Sequence, residues 1–345
     1  MFTFKINSEV TEINGVYRFQ IDFPSPVGLD FVCMYLFNID NTHFLVDAGM
    51  NLPNWKNSFF SELNKLNLSI MDIDYLIITH EHPDHVGLMK EIKDANPNIK
   101  ILMHEITHDI IKRMTDPKYE EELQNSTEEL ISRTLKFGIT EERAKNMFGF
   151  STSMHRMMSY TKPDRIVKDN DEIPFDSTTI RFVWTPGHSL GHICVFEDSN
   201  RHLFGGDHIL SRITPNIGTS MMRSTSEEQF DFTNILDYYL KSLDKIDELN
   251  AKIIFPAHQE VIYEPHKRIL EMKKHHDARL FEISKAIENK PLTPYEISLI
   301  HFGKDLDGMN TLLALSEILS HLIYLEIQGK VKRIEQNNKY YFLKT

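Results

Sequence analysis

Three histidines, a glutamate and an aspartate stand within six residues in His80-Glu81-His82-Pro83-Asp84-His85, directly behind the apolar run Tyr75-Leu76-Ile77-Ile78. An apolar, β-branched run of this length reads as a buried strand, and imidazoles spaced two apart at its end are metal-ligand spacing. His80 and His82 can turn toward one cation while Asp84 and His85 turn toward a second. Two such cations serve metal-assisted hydrolysis, in which water is activated and a carbonyl or phosphoryl oxygen is polarised.

The same arrangement of an apolar run ending in one metal-competent side chain recurs three times. Ile180-Arg181-Phe182-Val183-Trp184 leads to His188, His202-Leu203-Phe204 leads through Gly205-Gly206 to Asp207, and Lys252-Ile253-Ile254-Phe255 leads through Pro256-Ala257 to His258. Glycine or proline beside each ligand suits a tight turn whose backbone approaches the site closely. Imidazoles and carboxylates without a thiol suit zinc, with iron and manganese as alternatives. Of the seventeen histidines, His104, His108, His155, His202, His275, His276, His301 and His321 stand outside any ligand-spaced group and read as surface or hydrogen-bonded residues. His192 reads as a partner hydrogen-bonded to a ligand, and His208, next to Asp207, as a substrate-facing residue.

The order His80-x-His82-x-Asp84-His85, His188, Asp207, His258 resembles the metallo-β-lactamase superfamily, over roughly Val10 to Tyr263. Phe44-Leu45-Val46-Asp47-Ala48-Gly49 resembles that family's strand-ending Asp element, which implies a role for Asp47 beneath the metals. By this resemblance His80, His82 and His188 take one metal, Asp84, His85 and His258 take the other, and Asp207 bridges them. Asp84 is also the expected catalytic residue, orienting the attacking hydroxide and accepting its proton. The implied fold is α/β, a four-layer αββα metallo-β-lactamase sandwich, and the implied activity is that of a dinuclear hydrolase.

Elements that would position these residues can be read along the chain. Phe31 to Asn38 and Thr42 to Asp47 form a hairpin, helices cover Trp55 to Leu66 and Val86 to Ala95, and Ile99 to Met103 returns as a strand. A helical insertion occupies about 105–163 and reads as packing on the body, while the Met-rich stretch from Met147 to Tyr160 reads as one apolar cluster, part of it able to cap a substrate channel. The loop from Ile209 to Phe232 reads as a wall of the site, with Arg212, Met221 and Arg223 as substrate contacts. A catalytic domain thus spans 1–264. Residues 265–345 read as three helices and a small β-wing, resembling the winged-helix-like tail of the branch that includes β-lactamase-like protein 2, notably in His321-Leu322-x-x-Leu325-x-x-x-Gly329-Lys330-Val331.

Composition narrows the partners. A net charge of −12 weighs against wrapping a long polyanion, although residues from Pro265 onward carry ten Lys and three Arg against ten Asp and Glu. The start of the sequence lacks a basic leader and no apolar run reaches membrane-spanning length, so the expected location is the cytoplasm, with no membrane partner. Cys33 and Cys194 lie in strand-like runs and read as buried reduced thiols. The favoured function is hydrolysis of a small-molecule thioester or ester; the alternatives are a lactonase and a metal-dependent endoribonuclease acting on nucleic acid. The tail is expected to serve packing or a homodimer contact.

Overall fold

The chain is described by a computed structural model covering residues 6–22, 29–151, 154–217 and 234–345. Two units emerge from its contacts. The first comprises Met1–Asp116, Met154–Pro215 and Asp244–Arg268, and the second comprises Pro117–Ser153, Asn216–Leu243 and Ile269–Thr345.

In the first unit, a seven-stranded sheet runs in chain order: β1 (Ser8–Ile13), β2 (Val16–Asp22), β3 (Phe31–Ile39), β4 (Thr42–Val46), β5 (Tyr75–Ile77), β6 (Lys100–His104) and β7 (Arg165–Val167). Strands β1 to β4 are an antiparallel meander, and β4 to β7 are parallel. The parallel part needs crossovers, which α1 (Pro53–Lys65), α2 (Pro83–Val86), α3 (Met89–Ala95) and α4 (Glu105–Met114) help to provide. The second sheet contains β8 (Glu172–Pro174), β9 (Thr179–Trp184), β10 (Ile193–Glu197), β11 (His202–Gly206) and β12 (Ile253–Pro256), in the order β12-β11-β10-β9-β8. Only its β11–β12 pair is parallel among these neighbours.

Strand β3 shows why the sheets stack. Its residues alternate: Cys33, Tyr35 and Phe37 join Phe182, Val195, Phe204 and Phe255 of the second sheet, while Val32, Met34 and Leu36 join Trp55, Phe59 and Ile92 of the helices. Both faces are therefore buried. Phe44, Phe37 and Phe204 stack in turn at 5.1 and 4.5 Å between ring centroids, and Phe204 meets Phe255 at 5.3 Å. Each such side chain contributes about 1.5–3 kcal/mol by leaving water. The result is the expected αββα sandwich.

In the second unit, α5 (Tyr119–Leu135) and α6 (Glu141–Ser151) share a core with α9 (Pro294–Phe302) and α10 (Gly308–Ile327), in which Ile139, Met147 and Phe148 pack with Tyr295, Leu315 and Leu319. The unit boundaries fall inside α7 (Ile235–Glu248) and α8 (Pro265–Ala286). Thr293 opens α9 with a capping box: its hydroxyl accepts from the Glu296 amide, and Glu296 accepts from the Thr293 amide. Val331 and Phe342, from the hairpin β13 (Val331–Gln336) and β14 (Lys339–Lys344), close a second core with Ile283, Ile318 and Leu322. Asn337 and Asn338 turn that hairpin with positive φ values of 51° and 57°.

The Met-rich stretch is divided, contrary to the single cluster read from the sequence. Met147 and Phe148 belong to the second unit's core, whereas Met157, Met158 and Tyr160 pack on the outer face of the seven-stranded sheet. Apolar content along the chain marks burial but not the surface that will bury it. Among the described residues no helix is long and apolar enough to cross a membrane.

Gly49 sits at φ +59°, where a Cβ would lie 1.9 Å from the Trp55 ring. Gly49→Ala therefore combines a left-handed backbone with a clash against a fully buried indole. It is expected to lower the unfolding free energy by about 2 kcal/mol or more, read from the urea midpoint. An unchanged midpoint would contradict the packing described here.

Candidate metal centre

The site is assembled from strand ends. His80 follows β5, and His82 sits in extended backbone at φ −66° just before Pro83 opens α2, whose single turn carries Asp84 and His85. Proline at the first helical position suits such an abrupt start. His188 lies in the turn after β9, Asp207 immediately follows β11, and His258 follows β12. Two backbone bonds link the sheets here: Cys33 N–H donates to Ala257 O at 2.7 Å, and Ile193 N–H donates to Thr79 O at 2.9 Å.

Two groups of ligand-competent atoms result. His80, His82, His188 and Asp207 form one, and Asp84, His85 and His258 the other, the atoms of each lying within 4.8 Å of one another. In the first, His82 Nδ1 stands 2.9 Å from His80 Nε2 and 3.0 Å from His188 Nε2. In the second, His258 Nε2 is 3.3 Å from Asp84 Oδ2 and His85 Nε2 is 3.7 Å from the same oxygen. Asp207 faces both groups. Its Oδ2 is 3.5 Å from His188 Nε2, while its Oδ1 is 3.6 Å from His85 Nε2 and 3.4 Å from His258 Nε2.

Backbone and side-chain partners set which ring nitrogen faces inward. Asp47, at φ 65°, accepts from the Thr79 amide at 2.8 Å and hydroxyl at 2.9 Å, and from His85 Nδ1–H at 2.8 Å. The Thr79 hydroxyl, spent as a donor on Asp47, is left to accept from His80 Nδ1–H at 3.1 Å, which bares His80 Nε2. His258 Nδ1–H donates to the Phe31 carbonyl at 2.7 Å, which likewise turns Nε2 inward. His192 does not join either group. Its Nε2 accepts from the Asp207 amide at 3.2 Å and its Nδ1–H donates to the Thr185 hydroxyl at 2.8 Å. Gly206, at φ +49°, makes room for that contact, since a Cβ there would lie 2.5 Å from His192 Nε2. These partners are the kind that orient metal ligands.

Charge is divided between the groups. Burial pushes the Asp84 carboxyl up, but the His85 and His258 imidazoles outweigh it and hold Asp84 at about 2. Burial likewise opposes charge on His258, yet Asp207 and Asp84 raise it to about 10. His80 is driven well down, first by burial and then by the neighbouring His85 and His82 rings. The donor set fits a metal: His85 Nε2 and Asp207 Oδ1 are buried and lack a hydrogen-bond partner among the described residues, a state that proteins rarely tolerate without an ion or water. No sulfur competes, because Cys33 and Cys194 are buried thiols pushed up to about 11 and about 12 chiefly by burial.

Of the residues read as substrate contacts, His208 is fully buried, with its ring 5.7 Å from that of His192, and is driven down to about 3 by burial and then by His188 and Lys245. Arg212 is exposed and pairs with Glu260 at 3.2 Å. It lines a cavity of about 230 Å³ together with Leu29, Asp30, Phe31, Ile213, His258 and Gln259. Met221 and Arg223 lie outside the described residues. Sequence reading missed Thr79, Gln259 and the Phe31 carbonyl. Gln259, at φ 67°, accepts from the Arg212 amide at 2.8 Å, and its own carbonyl accepts from Arg18 at 2.9 Å. Thr79 was legible in principle as the polar residue between a buried strand and the first ligand; a carbonyl acceptor has no side-chain signal.

Known proteins resemble this chain in sequence and in fold. The sequence profile of the metallo-beta-lactamase superfamily matches residues 27–258, and that of the metallo-beta-lactamase-like C-terminal domain matches residues 280–344. The chain is 23% identical over 325 residues to the probable metallo-hydrolase YqjP of Bacillus subtilis (strain 168), covering 93% of this chain and 96% of that protein. It is 26% identical over 296 residues to a beta-lactamase-like protein 2 homolog of Caenorhabditis elegans, covering 85% and 76% respectively. A crystal structure of a beta-lactamase domain protein from Burkholderia ambifaria superposes with a TM-score of 0.80 at 22% identity, covering 97% of this chain and 94% of that one, which supports the fold.

If Asp47 orients His85 for ligation, Asp47→Ala is expected to weaken metal binding at one of two positions by about 10- to 100-fold. Competition against a chromophoric chelator measures this directly. Two undiminished binding steps in the variant would remove Asp47 from that role.

Proposed function

Since the chain belongs to the metallo-β-lactamase superfamily and is a metal-dependent hydrolase, we propose that it cleaves a small-molecule thioester or ester at its two His/Asp groups. The observation that carries this reading is the position of Asp207, whose two carboxylate oxygens face different groups. His80, His82 and His188 would hold one divalent ion and Asp84, His85 and His258 the other, with Asp207 shared. Zinc suits this nitrogen and oxygen donor set, and iron or manganese would also fit it. When bound, two such ions lower the pKa of water toward neutrality and stabilise negative charge on a carbonyl oxygen.

The chain's own residues do the rest. Asp84 Oδ2 faces His258 and His85, which leaves its other oxygen as the acceptor for a proton from the attacking water. Asp47, Thr79 and the Phe31 carbonyl hold three imidazoles in one tautomer, so that the ligand atoms need little rearrangement. The cavity beside His258 has Leu29, Phe31 and Ile213 on its apolar side and Asp30, Arg212 and Gln259 on its polar side, which suits a substrate with a short acyl group and a polar end. In the second unit, Arg333 of the wing pairs with Glu326 at 3.4 Å and lies over Tyr340, and Lys344 pairs with Glu288 at 2.9 Å, so part of its positive charge is already neutralised. That weighs toward a small substrate and away from RNA.

A panel of thioesters, esters, lactones and short RNA is expected to show chelator-sensitive turnover on a thioester or ester. Metal-dependent RNA cleavage without acyl hydrolysis would replace this reading with the ribonuclease one. Asp84→Asn is expected to lower kcat by about 100-fold or more with KM changed only a few-fold, because an amide keeps the shape but takes no proton. A variant with full metal content and ordinary turnover would refute the role. Charge reversal of Lys330, Lys332 and Arg333 together is expected to leave acyl hydrolysis within about twofold across a salt series, whereas an enzyme acting on RNA would lose binding and salt dependence.

A further inference from the structure

The second unit buries a polar cluster that none of the seven residues above enters. His275, His276 and Arg279 come from α8, and Glu317 and His321 from α10. His276 and His321 are completely buried and Glu317 is 7% exposed, while Ile283, Ile318 and Leu322 of the same helices form the adjoining apolar core. Polar groups placed so deep need partners, and hydrogen bonds account for only some of them.

Those bonds decide where a lone pair is left. His321 Nδ1 lies 2.7 Å from the Glu317 backbone carbonyl, which has no proton to give, so Nδ1–H is the donor and His321 Nε2 is bare. That bare nitrogen lies 3.1 Å from His276 Nδ1, which therefore carries the proton. The consequence is a third nitrogen, His276 Nε2, that is unprotonated, fully buried and without a hydrogen-bond partner among the described residues. A relay ending on a main-chain carbonyl is the device that fixes the tautomer and raises the basicity of a metal-bound imidazole.

We propose that His275, His276 and Glu317 form a further transition-metal site, built entirely by the second unit and distinct in residues from the seven-residue centre. Their ligand atoms lie within 4.8 Å of one another, and two imidazoles with one carboxylate suit zinc and its neighbours better than the oxygen-seeking calcium or magnesium. A buried cation also answers the state of Glu317. Burial raises its carboxyl to about 7 against the opposing influence of Arg279 and the Ile217 amide, and a bound metal would favour its ionised form. Burial also keeps His276 and His321 neutral, at about 2 and about 3. Arg279, close enough to act on both His276 and Glu317, adds charge of the cation's own sign, so the Glu317 carboxylate is the indispensable ligand. His275, which is half-buried, completes the set.

The test is made on the full chain, stripped with chelator and re-equilibrated with zinc, with content read by elemental analysis and cobalt(II) absorption as a second readout. Wild type is expected to retain one equivalent more than either His275→Ala or Glu317→Gln, and to show cobalt bands that both variants lack. The readout is a difference between proteins, so it holds whatever number of ions the seven-residue centre retains. Glu317→Gln keeps the side chain's shape and His275→Ala alters a half-buried position, which preserves the fold for comparison; circular dichroism confirms it. Equal zinc content and identical cobalt spectra in wild type and His275→Ala would overturn the site and leave the cluster a purely hydrogen-bonded one.

Discussion

Five imidazoles and two carboxylates converging in a largely buried space are the constraint on which the rest of the first unit depends. Buried polar atoms left unpaired cost roughly 1–3 kcal/mol each, and buried charge more. The protein meets this by giving many of the inward-facing groups an outward anchor. Asp47 holds His85, Thr79 holds His80, the Phe31 carbonyl holds His258, and His192 holds the Asp207 amide. The convergence then becomes a preformed cation site instead of an electrostatic defect.

Those anchors explain features of the backbone that would otherwise look arbitrary. Asp47 and Gln259, both next to site elements, occupy left-handed conformations that non-glycine residues adopt reluctantly. In each case the side chain accepts bonds from site elements: Asp47 from Thr79 and His85, Gln259 from the Arg212 amide. The fixed backbone also joins the two sheets, because Cys33 donates to Ala257 beside His258 and Ile193 donates to Thr79 beside His80. Packing between the sheets, led by the Phe44, Phe37, Phe204 and Phe255 rings, supplies the rigidity that holds strand ends in register.

The second unit follows the same physics with different consequences. Its helices come from separate stretches of chain, yet Ile139, Met147, Tyr295 and Leu315 make one core, and buried histidines are again arranged by a carbonyl acceptor. Exposure alone would not distinguish these histidines from ordinary core residues. Their hydrogen bonds give more: the Glu317 carbonyl sets the proton on His321 Nδ1, and His321 Nε2 in turn sets the proton on His276 Nδ1.

Much of the site was legible in the sequence because its signals are local. The apolar run of β3, the apolar runs before His80, His188, Asp207 and His258, and the Gly or Pro that turns the chain beside them all act within a few residues. The tertiary structure alone decided what joins residues far apart: His258 to the Phe31 carbonyl across 227 positions, the two faces of Asp207, the division of the Met-rich stretch between cores, and the meeting of His275 and His276 with Glu317. Residue type states what a side chain can bond, whereas partner and tautomer follow from which atoms packing brings within about 3 Å, a distance that no spacing along the chain encodes.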